Sequence, residues 1–363
     1  MISKLADALS RLLPAFSPRL KLALGALAAV ALAWGAQPAH ATTYTFQNIV
    51  NSNTAIGGDA NFNQALGINS AGIIGGYAGD GVVLPNKGYT VTPPTYTSFT
   101  PENFPNSVQT QVVGINSNTP PTTVGFFIDT NGNNFGFFNQ NGTFGPQVMN
   151  PNTGTGTVNQ LLGVNNNNVA VGFYTDGNGV NHGYTFTIAG MSFSAPINDP
   201  NAGTMTGQGT TTTGINNSGE IAGFYIDANG NFHGFLDVNG MFMTIDDPNG
   251  NGTNTMLLGL NNNGQAVGSF VDMNGETQGL LFNIAADTFQ TISDPNASAT
   301  PAFNVTGTTI NGINDQGDLV GFYSNGTQVI GLLATPVPEP ASLTLLAAGL
   351  LGLGAVARRR KAG

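Results

Sequence analysis

Cysteine is absent from the whole chain of 363 residues, which excludes a disulfide framework, thiolate catalysis and a cysteine-ligated metal. Tryptophan occurs once, at Trp34. Between residues 42 and 337 the only lysine or arginine is Lys87, whereas 17 of the 19 acidic residues lie there. This stretch therefore carries a net charge of about −16. Such a surface repels phosphate backbones, so we expect no nucleic-acid partner.

The first 41 residues have the composition of an export signal. Four basic residues precede an apolar core at residues 22–35, and Ala39-His40-Ala41 has the small-residue pattern of a cleavage site. We therefore predict a signal helix over residues 1–41 that signal peptidase removes. A retained membrane anchor is the alternative. The basic residues are Lys4, Arg11, Arg19 and Lys21.

Six Gly-(Ile/Val/Leu)-Asn triplets divide the body of the chain into repeats, at spacings of 47, 49, 51, 45 and 53 residues. The best-preserved repeat, residues 210–248, has four apolar segments separated by turn sequences such as Asn239-Gly240. Asn-Gly between alternating apolar residues is typical of a tight hairpin, so each repeat is predicted to be a four-stranded antiparallel meander. The triplets begin at Gly67, Gly114, Gly163, Gly214, Gly259 and Gly312.

The last repeat is one strand short, and an extra strand is predicted at Thr43–Val50, before the first triplet. If this strand completes the last repeat, the two ends of the body are joined and sheet edges are removed. We therefore predict an all-β body over residues 42–336, a six-bladed β-propeller of four-stranded blades closed by the N-terminal strand. An open β-solenoid is the alternative. The glycines and the aromatic residues after them are expected to be scaffold, packed within and between blades.

Two series of aspartates recur in the predicted turns. One series lies in the turns between second and third strands, and the other lies in the connections between repeats. In a meander these turns and connections emerge on the same face, so we expect both series to surround one mouth of the propeller. Asp-x-Asn-Gly resembles the start of a calcium loop, although the distal acidic ligand is missing, and ordinary turn chemistry is the alternative. The candidate calcium ligands are Asp129, Asp176, Asp227 and Asp272, and the candidate ligand-face residues are Asp199, Asp247 and Asp294.

No catalytic constellation is found in the sequence. His182 and His233 occupy matching positions in neighbouring repeats, where they could bind a metal or transfer protons, with a structural role as the alternative. The motifs G-x-S-x-G, H-E-x-x-H and the phosphate loop are absent, so we assign no catalytic residue and do not expect an enzyme.

The C-terminal 27 residues have three parts in a fixed order. Val337-Pro338-Glu339-Pro340 precedes an apolar segment at residues 341–357, and Arg358-Arg359-Arg360 follows it. The apolar segment is just long enough for a transmembrane helix, with the basic end in the cytoplasm. This arrangement resembles a PEP-CTERM sorting signal. The resemblance implies an exported protein, a transient inner-membrane intermediate and processing by an exosortase, in bacteria that make extracellular polysaccharide and biofilm.

The repeats themselves resemble the extracellular HAF-repeat family. Gly214-Ile215-Asn216, then residues 219–225 and His233-Gly234-Phe235, carry the likeness, whereas other repeats have lost the histidine. That family implies no defined activity.

The sequence thus favours an exported, non-enzymatic structural or binding module associated with exopolysaccharide or biofilm. A glycan-binding or glycan-cleaving propeller, with calcium as a possible cofactor, is the alternative. The scarcity of tryptophan, which stacks well on sugars, counts against it. Four tyrosines could stack on sugars only if they faced a mouth, whereas their phase indicates packing between blades: Tyr77, Tyr174, Tyr225 and Tyr323.

Overall fold

The computed structural model of the protein describes residues 42–80, 85–156 and 158–337. These residues form an all-β body with 24 strands and one short 3₁₀ helix, Thr54–Ile56. The predicted signal helix and the predicted C-terminal membrane helix lie outside the described residues. Among the residues that are described, no helix is long and apolar enough to cross a membrane.

The strands follow one another as antiparallel meanders, which we number as repeats in chain order. Repeat 1 contains β2 (Phe62–Ile68), β3 (Ile74–Gly79), β4 (Lys87–Val91) and β5 (Phe99–Pro101). Repeat 2 contains β6 (Gln109–Ile115), β7 (Thr122–Ile128), β8 (Asn134–Gln140) and β9 (Thr143–Phe144). Repeat 3 contains β10 (Asn159–Val164), β11 (Val169–Thr175), β12 (Asn181–Thr187) and β13 (Ser192–Phe193).

The second half of the body continues the same pattern. Repeat 4 contains β14 (Gly209–Ile215), β15 (Ile221–Ile226), β16 (Phe232–Val238) and β17 (Met241–Ile245). Repeat 5 contains β18 (Gly250–Leu260), β19 (Gln265–Asp272), β20 (Thr277–Asn283) and β21 (Thr288–Ile292). Repeat 6 contains β22 (Thr308–Ile313), β23 (Leu319–Ser324) and β24 (Val329–Pro336).

The fourth strand beside β24 comes from the start of the body. Strand β1 (Tyr44–Ile49) pairs with β24 in antiparallel register, from Tyr44 opposite Pro336 to Ile49 opposite Gly331. Ile49 is fully buried at this contact. The strand is one residue shorter at each end than the predicted segment Thr43–Val50.

The fourth strands of repeats 2 and 3 are shorter than the segments that the apolar pattern predicts, residues 143–149 and 191–197. Strands β9 and β13 each have two residues, and the chain beyond them forms only isolated bridges at Val148 and Ile197. Pro146 and Pro196 interrupt these segments because proline lacks the N–H that a ladder requires. The fourth strand of repeat 1, which the apolar pattern predicts over residues 96–99, is displaced, since Tyr96 has a φ of 52° outside any strand and β5 begins only at Phe99.

The first strands of neighbouring repeats meet at the triplet glycines. A Cβ on Gly163 would lie 2.6 Å from the carbonyl oxygen of Thr213, and one on Gly312 would lie 2.7 Å from that of Leu66. Every triplet glycine contacts the next in this way, and the sixth contacts the first. Glycine is therefore required for close approach of the strands, as the sequence indicated.

The hydrophobic core lies in the seams between neighbouring repeats. In one cluster, Leu161 of repeat 3 packs with Val124 and Phe138 of repeat 2. In another, Val267 of repeat 5 packs with Ile310 of repeat 6. Burial of these apolar surfaces stabilises the contact of each repeat with its neighbours.

Candidate functional site

The triplet asparagines form a cyclic hydrogen-bond network at one end of the innermost strands. In Asn165, for example, Nδ2 donates to the carbonyl oxygen of Asn216 at 3.0 Å, and Oδ1 accepts from the N–H groups of Asn167 and Val169. Asn314 donates to the carbonyl oxygen of Asn69, and so completes the cycle. We call this the asparagine ring: Asn69, Asn116, Asn165, Asn216, Asn261 and Asn314.

A ring of apolar side chains lies next to the asparagine ring, one residue earlier along each innermost strand. Its six members are the middle residues of the triplets, and each is only 6–8% exposed. The apolar ring separates a small polar recess of about 60 Å³ from a much larger space on its other side. The members are Ile68, Ile115, Val164, Ile215, Leu260 and Ile313.

The larger space consists of two adjoining cavities of about 440 and 420 Å³, which we call the central basin. Each repeat has a register shift just before its triplet glycine, for example between Leu161 and Gly163. The unpaired residue of each such bulge lines the basin, because a bulge re-aims the side chain. These residues are Leu66, Val113, Leu162, Thr213, Leu258 and Asn311.

Polar and aromatic side chains line the basin further from the apolar ring. The residue three before each triplet glycine supplies mostly amides and hydroxyls: Gln64, Gln111, Gln160, Thr211, Met256 and Thr309. The residue after the glycine of each second strand supplies mostly aromatic rings: Tyr77, Phe126, Phe173, Phe224, Ser269 and Phe322.

The basin is uncharged although the body is strongly acidic. No lysine, arginine, aspartate or glutamate is among the described residues that line it. Tyr77 donates a hydrogen bond from its hydroxyl to Gln64 Oε1 at 2.6 Å, and burial raises the pKa of this phenol far above its usual range. The basin thus offers neutral donors, neutral acceptors and aromatic faces.

These positions correct the prediction that all the aromatic residues after glycine pack between repeats. Phe173 lines the basin, whereas its neighbour Tyr174 is buried in the seam core. Adjacent residues of a strand point to opposite faces, so only alternate aromatics can face the seam. Tyr77 aligns with Phe173 and not with Tyr174, because Gly76 and Gly172 hold equivalent pairing positions. Counting this alternation along each second strand would have identified the basin from the sequence.

The four candidate calcium ligands lie in the turns between second and third strands, one in each of repeats 2–5. Asp227 shows the common geometry: Oδ1 accepts from the N–H groups of Asn229 and Asn231 at 2.8 Å, and Oδ2 accepts from Asn231 Nδ2 at 3.1 Å. The hydrogen bond from the backbone of Asn231 is the main reason that the pKa of Asp227 falls to about 2. Hydrogen bonds within the turn also lower the pKa of the other three, Asp129, Asp176 and Asp272.

The structure does not bring these four aspartates together, since they occupy four different repeats. In the described part of the chain, no group of three or more histidine, cysteine, aspartate or glutamate side chains is arranged to hold a metal ion. Turn chemistry accounts for the hydrogen bonds of each of the four carboxylates.

The three ligand-face candidates lie in the connections that lead from one repeat to the next. Each accepts a backbone N–H from the asparagine two residues later at 2.8 Å, and each is only 3% exposed. Each also donates its own N–H to a threonine hydroxyl in the next innermost strand. The second carboxylate oxygen is buried without a hydrogen-bond partner in all three: Asp199, Asp247 and Asp294. Burial raises the pKa of Asp199 and Asp247.

The two aspartate series lie beside each other. A Cβ on Gly203, in the connection that begins at Asp199, would lie 2.8 Å from the carbonyl oxygen of Asp227. Phe232 and Thr277, which directly follow two of the aspartate turns, line the central basin. The aspartates therefore lie on the side of the body where the basin is found, outside its uncharged lining.

The two matching histidines stack on the seam tyrosines. The ring centroids of Tyr174 and His182 are 5.1 Å apart, and those of Tyr225 and His233 are 5.0 Å apart. His182 contacts Asn198 at 2.8 Å, whereas His233 contacts the carboxylate of Asp246 at 2.9 Å. The histidines belong to separate seams and are not brought together.

The repeated antiparallel sheets, whose innermost strands surround a basin, define a propeller-like β fold. At the C-terminus, residues 336–361 match the model of the PEP-CTERM protein-sorting motif, so the resemblance to this signal is confirmed. The motif implies an exported protein that passes through a membrane-anchored sorting step and is processed by an exosortase. No curated protein matches the chain.

Several solved structures have a similar arrangement at low sequence identity. A lectin from Aleuria aurantia, bound to Fucα1-6GlcNAc, is 10% identical with a TM-score of 0.46, over 81% of this chain and 99% of that one. Another structure of that lectin, described as a six-bladed β-propeller, is 8% identical with a TM-score of 0.47 over the same shares of the two chains. A sialidase from Trypanosoma rangeli is 7% identical with a TM-score of 0.42, over 81% of this chain and 56% of that one. The ligands and reactions in these names belong to the lectin and the sialidase, and the similarity does not transfer them to this chain.

Proposed function

We propose that the chain is an exported surface protein whose body is a six-bladed β-propeller, closed by β1, that binds uncharged glycan in its central basin. The six repeats, the cyclic contacts of the triplet glycines and the pairing of β1 with β24 support the closed propeller. The repeats are assigned to the HAF-like family on the triplets and on His233-Gly234-Phe235. The signal peptide over residues 1–41 and the membrane helix over residues 341–357 belong to the same proposal.

The lining of the central basin is the observation that carries the glycan proposal. A pyranose ring presents apolar C–H faces and a rim of hydroxyl groups. Aromatic rings such as Phe173 and Phe224 suit the faces, and the amides of Gln111 and Gln160 suit the hydroxyls. A concave, mostly apolar site with a few convergent polar groups is the usual form of a small-molecule site.

The absence of charge in this lining supports a neutral ligand. An acidic sugar would meet no cation in the basin and would be repelled by the acidic body. The proposed role is therefore non-enzymatic attachment to neutral segments of the exopolysaccharide or biofilm matrix. Glycan cleavage remains the second candidate function from the sequence, and no described group in the basin favours it.

An array of neutral and acidic oligosaccharides, probed with the full chain in detergent, tests this function. We expect binding to neutral glycans, and a loss of at least tenfold in affinity when Phe173→Ala and Phe224→Ala are combined. Met241→Ala is the matched control, because Met241 is 67% exposed on β17 and lies outside the basin lining. The proposal is wrong if no neutral glycan binds, or if the double variant binds as well as the control.

A further inference from the structure

Each repeat contributes one cross-strand pair to the lining of the central basin, and five of the six pairs have the same chemistry. In these five, an amide or hydroxyl side chain on the innermost strand lies opposite an aromatic ring on the second strand. They are Gln64 with Tyr77, Gln111 with Phe126, Gln160 with Phe173, Thr211 with Phe224, and Thr309 with Phe322. In repeat 5 the order is reversed, because Met256 on β18 lies opposite Ser269 on β19. At repeat 5 the wall of the basin therefore has a small hydroxyl group where the other repeats have a ring.

The bulge residue of repeat 6 also differs from its equivalents. Four of the six bulge residues are apolar, and the hydroxyl of Thr213 contacts the carbonyl oxygens of Ala222 and Leu257 at 3.1 and 2.9 Å. The sixth is Asn311, whose Oδ1 is buried without a hydrogen-bond partner among the described residues. Asn311 is thus the bulge residue that presents an unpartnered polar atom.

Ser269 has an unpartnered polar atom as well. The residue is 1% exposed, and its Oγ makes no hydrogen bond within the described part of the chain. A buried hydroxyl normally has a partner, since an unmade hydrogen bond in a buried place costs free energy. No other described residue of the basin lining has a buried polar atom without a partner. The two departures from the shared pattern therefore coincide with the two unpartnered atoms.

Ser269 and Asn311 line the same cavity, the one of about 420 Å³. Val267, two residues before Ser269 and so on the same face of β19, packs with Ile310 in the seam between repeats 5 and 6. A Cβ on Gly259 of repeat 5 would lie 2.6 Å from the carbonyl oxygen of Asn311. The side chain of Ser269 therefore points towards repeat 6, whose innermost strand carries Asn311 against repeat 5.

We propose that this wall of the basin is a subsite for the acetamido group of a neutral N-acetylhexosamine, which rests on the glycan-binding function proposed above. An acetamido group has one donor, one acceptor and a methyl group. Its N–H donates to Asn311 Oδ1, and its carbonyl oxygen accepts from the Ser269 hydroxyl, which is free to turn between staggered rotamers. Its methyl group packs on Met256 and Leu258, apolar residues of repeat 5 that line the same cavity.

The reversed pair of repeat 5 suits this group in size and in polarity. An aromatic ring at the position of Ser269, as in the other repeats, would fill space in the cavity. A sugar hydroxyl in place of the acetamido group is shorter and has no methyl group, so it leaves the apolar surface of Met256 uncovered. Because the departures occur in one wall of the basin, we expect one such subsite in each chain.

An array of matched pairs of neutral oligosaccharides, probed with the full chain in detergent, tests the subsite. The pairs are N-acetylglucosamine with glucose and N-acetylgalactosamine with galactose, each in the same linkage. The members of a pair differ only in the acetamido or hydroxyl group on the second sugar carbon. We expect the acetamido member to bind at least about tenfold more tightly, since a site shaped for a methyl group and two hydrogen bonds loses that much without them. Isothermal titration should give one bound glycan per chain.

Variants that copy residues of other repeats separate this subsite from the rest of the basin. Ser269→Phe restores the ring found in four other repeats, and Asn311→Leu restores the leucine found in repeats 1, 3 and 5. We expect the ratio of the two affinities to fall to about one in Ser269→Phe, and also when Ser269→Ala is combined with Asn311→Leu. Ser218→Ala is the matched control, because Ser218 is exposed in a turn of repeat 4 and should leave the ratio unchanged.

The possible results separate this subsite from the function on which it rests. Equal binding of both members of every pair by the wild type contradicts the subsite alone, since neutral glycans then bind without regard to the acetamido group. Failure to bind any neutral glycan contradicts both proposals. A preference that persists in Ser269→Phe and in the combined variant shows that other residues recognise the acetamido group, and overturns the assignment of Ser269 and Asn311.

Discussion

At the scale of the residue, the shared form of the six repeats depends on side chains that make a local contact and a contact with the next repeat. Each triplet asparagine closes its own turn through Oδ1 and reaches the next repeat through Nδ2, as Asn165 does. Each triplet glycine permits the contact that brings the asparagine within reach. One residue thus links a local turn to the arrangement of the whole ring, which explains why an amide is needed at that position.

Replacing a ring asparagine should therefore cost more than an ordinary surface substitution. We expect Asn165→Ala to lower the free energy of unfolding by about 2 kcal/mol, because two partly buried N–H groups lose their acceptor and the buried carbonyl oxygen of Asn216 loses one of its two donors. Denaturant titration measures the change. Asn178→Ala is the control, since Asn178 is exposed, and we expect a change of less than about 0.5 kcal/mol there. Equal effects at both positions would contradict the role of the ring.

A triplet glycine should be equally intolerant of a side chain. In Gly163→Ala the new methyl group would lie 2.6 Å from the carbonyl oxygen of Thr213, so the inner strands must separate. We expect a loss of at least about 2 kcal/mol in the free energy of unfolding. Gly177→Ala is the control, because no atom lies within 4 Å of its added Cβ, and it should be neutral or slightly stabilising. A stable Gly163→Ala protein would show that the strands do not need this close contact.

At the scale of the element, the strand β1 has an importance that its length of six residues does not suggest. It covers the edge of β24, and its Ile49 is fully buried beside Gly331. Exposed sheet edges pair readily with other chains, so removal of β1 would leave an aggregation-prone edge. The strand comes from the opposite end of the body, so its pairing also brings the start and the end of the body together.

Deletion of residues 42–50 should therefore disrupt the body as a whole. We expect the shortened chain to aggregate or to unfold at a markedly lower temperature, because the strand's backbone hydrogen bonds and buried apolar contacts are lost together. A synthetic peptide of residues 42–50 should restore a cooperative thermal melt, whereas a scrambled peptide should not. A shortened chain that melts like the wild type would contradict the proposed closure.

At the scale of the whole molecule, an acidic body with one basic residue depends on apolar burial and hydrogen bonds for its stability. Fully buried tyrosines such as Tyr89 and Tyr184 belong to this core, and burial raises the pKa of both phenols far above the usual range. In the unfolded chain the same phenols ionise near pH 10. The contribution of these buried phenols to the free energy of unfolding is therefore fully present below about pH 10. It is lost as the pH rises towards the pKa that the phenols have in the folded chain.

We accordingly expect the free energy of unfolding to fall above about pH 10, by about 1.4 kcal/mol per pH unit for each fully buried tyrosine. Tyr184→Phe should reduce this slope, and circular dichroism in denaturant at a series of pH values measures it. Tyr96→Phe is the control, since Tyr96 is only partly buried and should change the slope less. A slope that Tyr184→Phe leaves unchanged would contradict this explanation of alkaline unfolding.

The sorting motif adds a prediction about the fate of the chain in the cell. We expect Pro338→Ala combined with Glu339→Ala to prevent processing, so that a longer, membrane-bound form accumulates on an immunoblot of cell fractions. Glu276→Ala, in the body, is the matched control and should be processed normally. Normal processing of the motif variant would show that these residues are not read by the sorting enzyme.

The sequence by itself determined the all-β class and the positions of the repeats. Asn-Gly turns and alternating apolar residues specify hairpins through local backbone preferences, which need no information from distant residues. Strand β16, for example, lies where the alternation predicts it, at Phe232–Val238. The C-terminal sorting motif was likewise predicted from its own order of residues, since it is a linear signal.

Only the tertiary structure decided where the side chains face and which distant groups meet. The sequence assigned both Phe173 and Tyr174 to the seams. In the structure Phe173 lines the central basin, and only Tyr174 is buried in the seam. It placed possible calcium ligands in four equivalent turns, but those carboxylates are occupied by their own turns. The position of Asp199 depends on a contact with a residue eleven positions further along the chain, since its N–H donates to the hydroxyl of Thr210, and local sequence preferences do not encode such a contact.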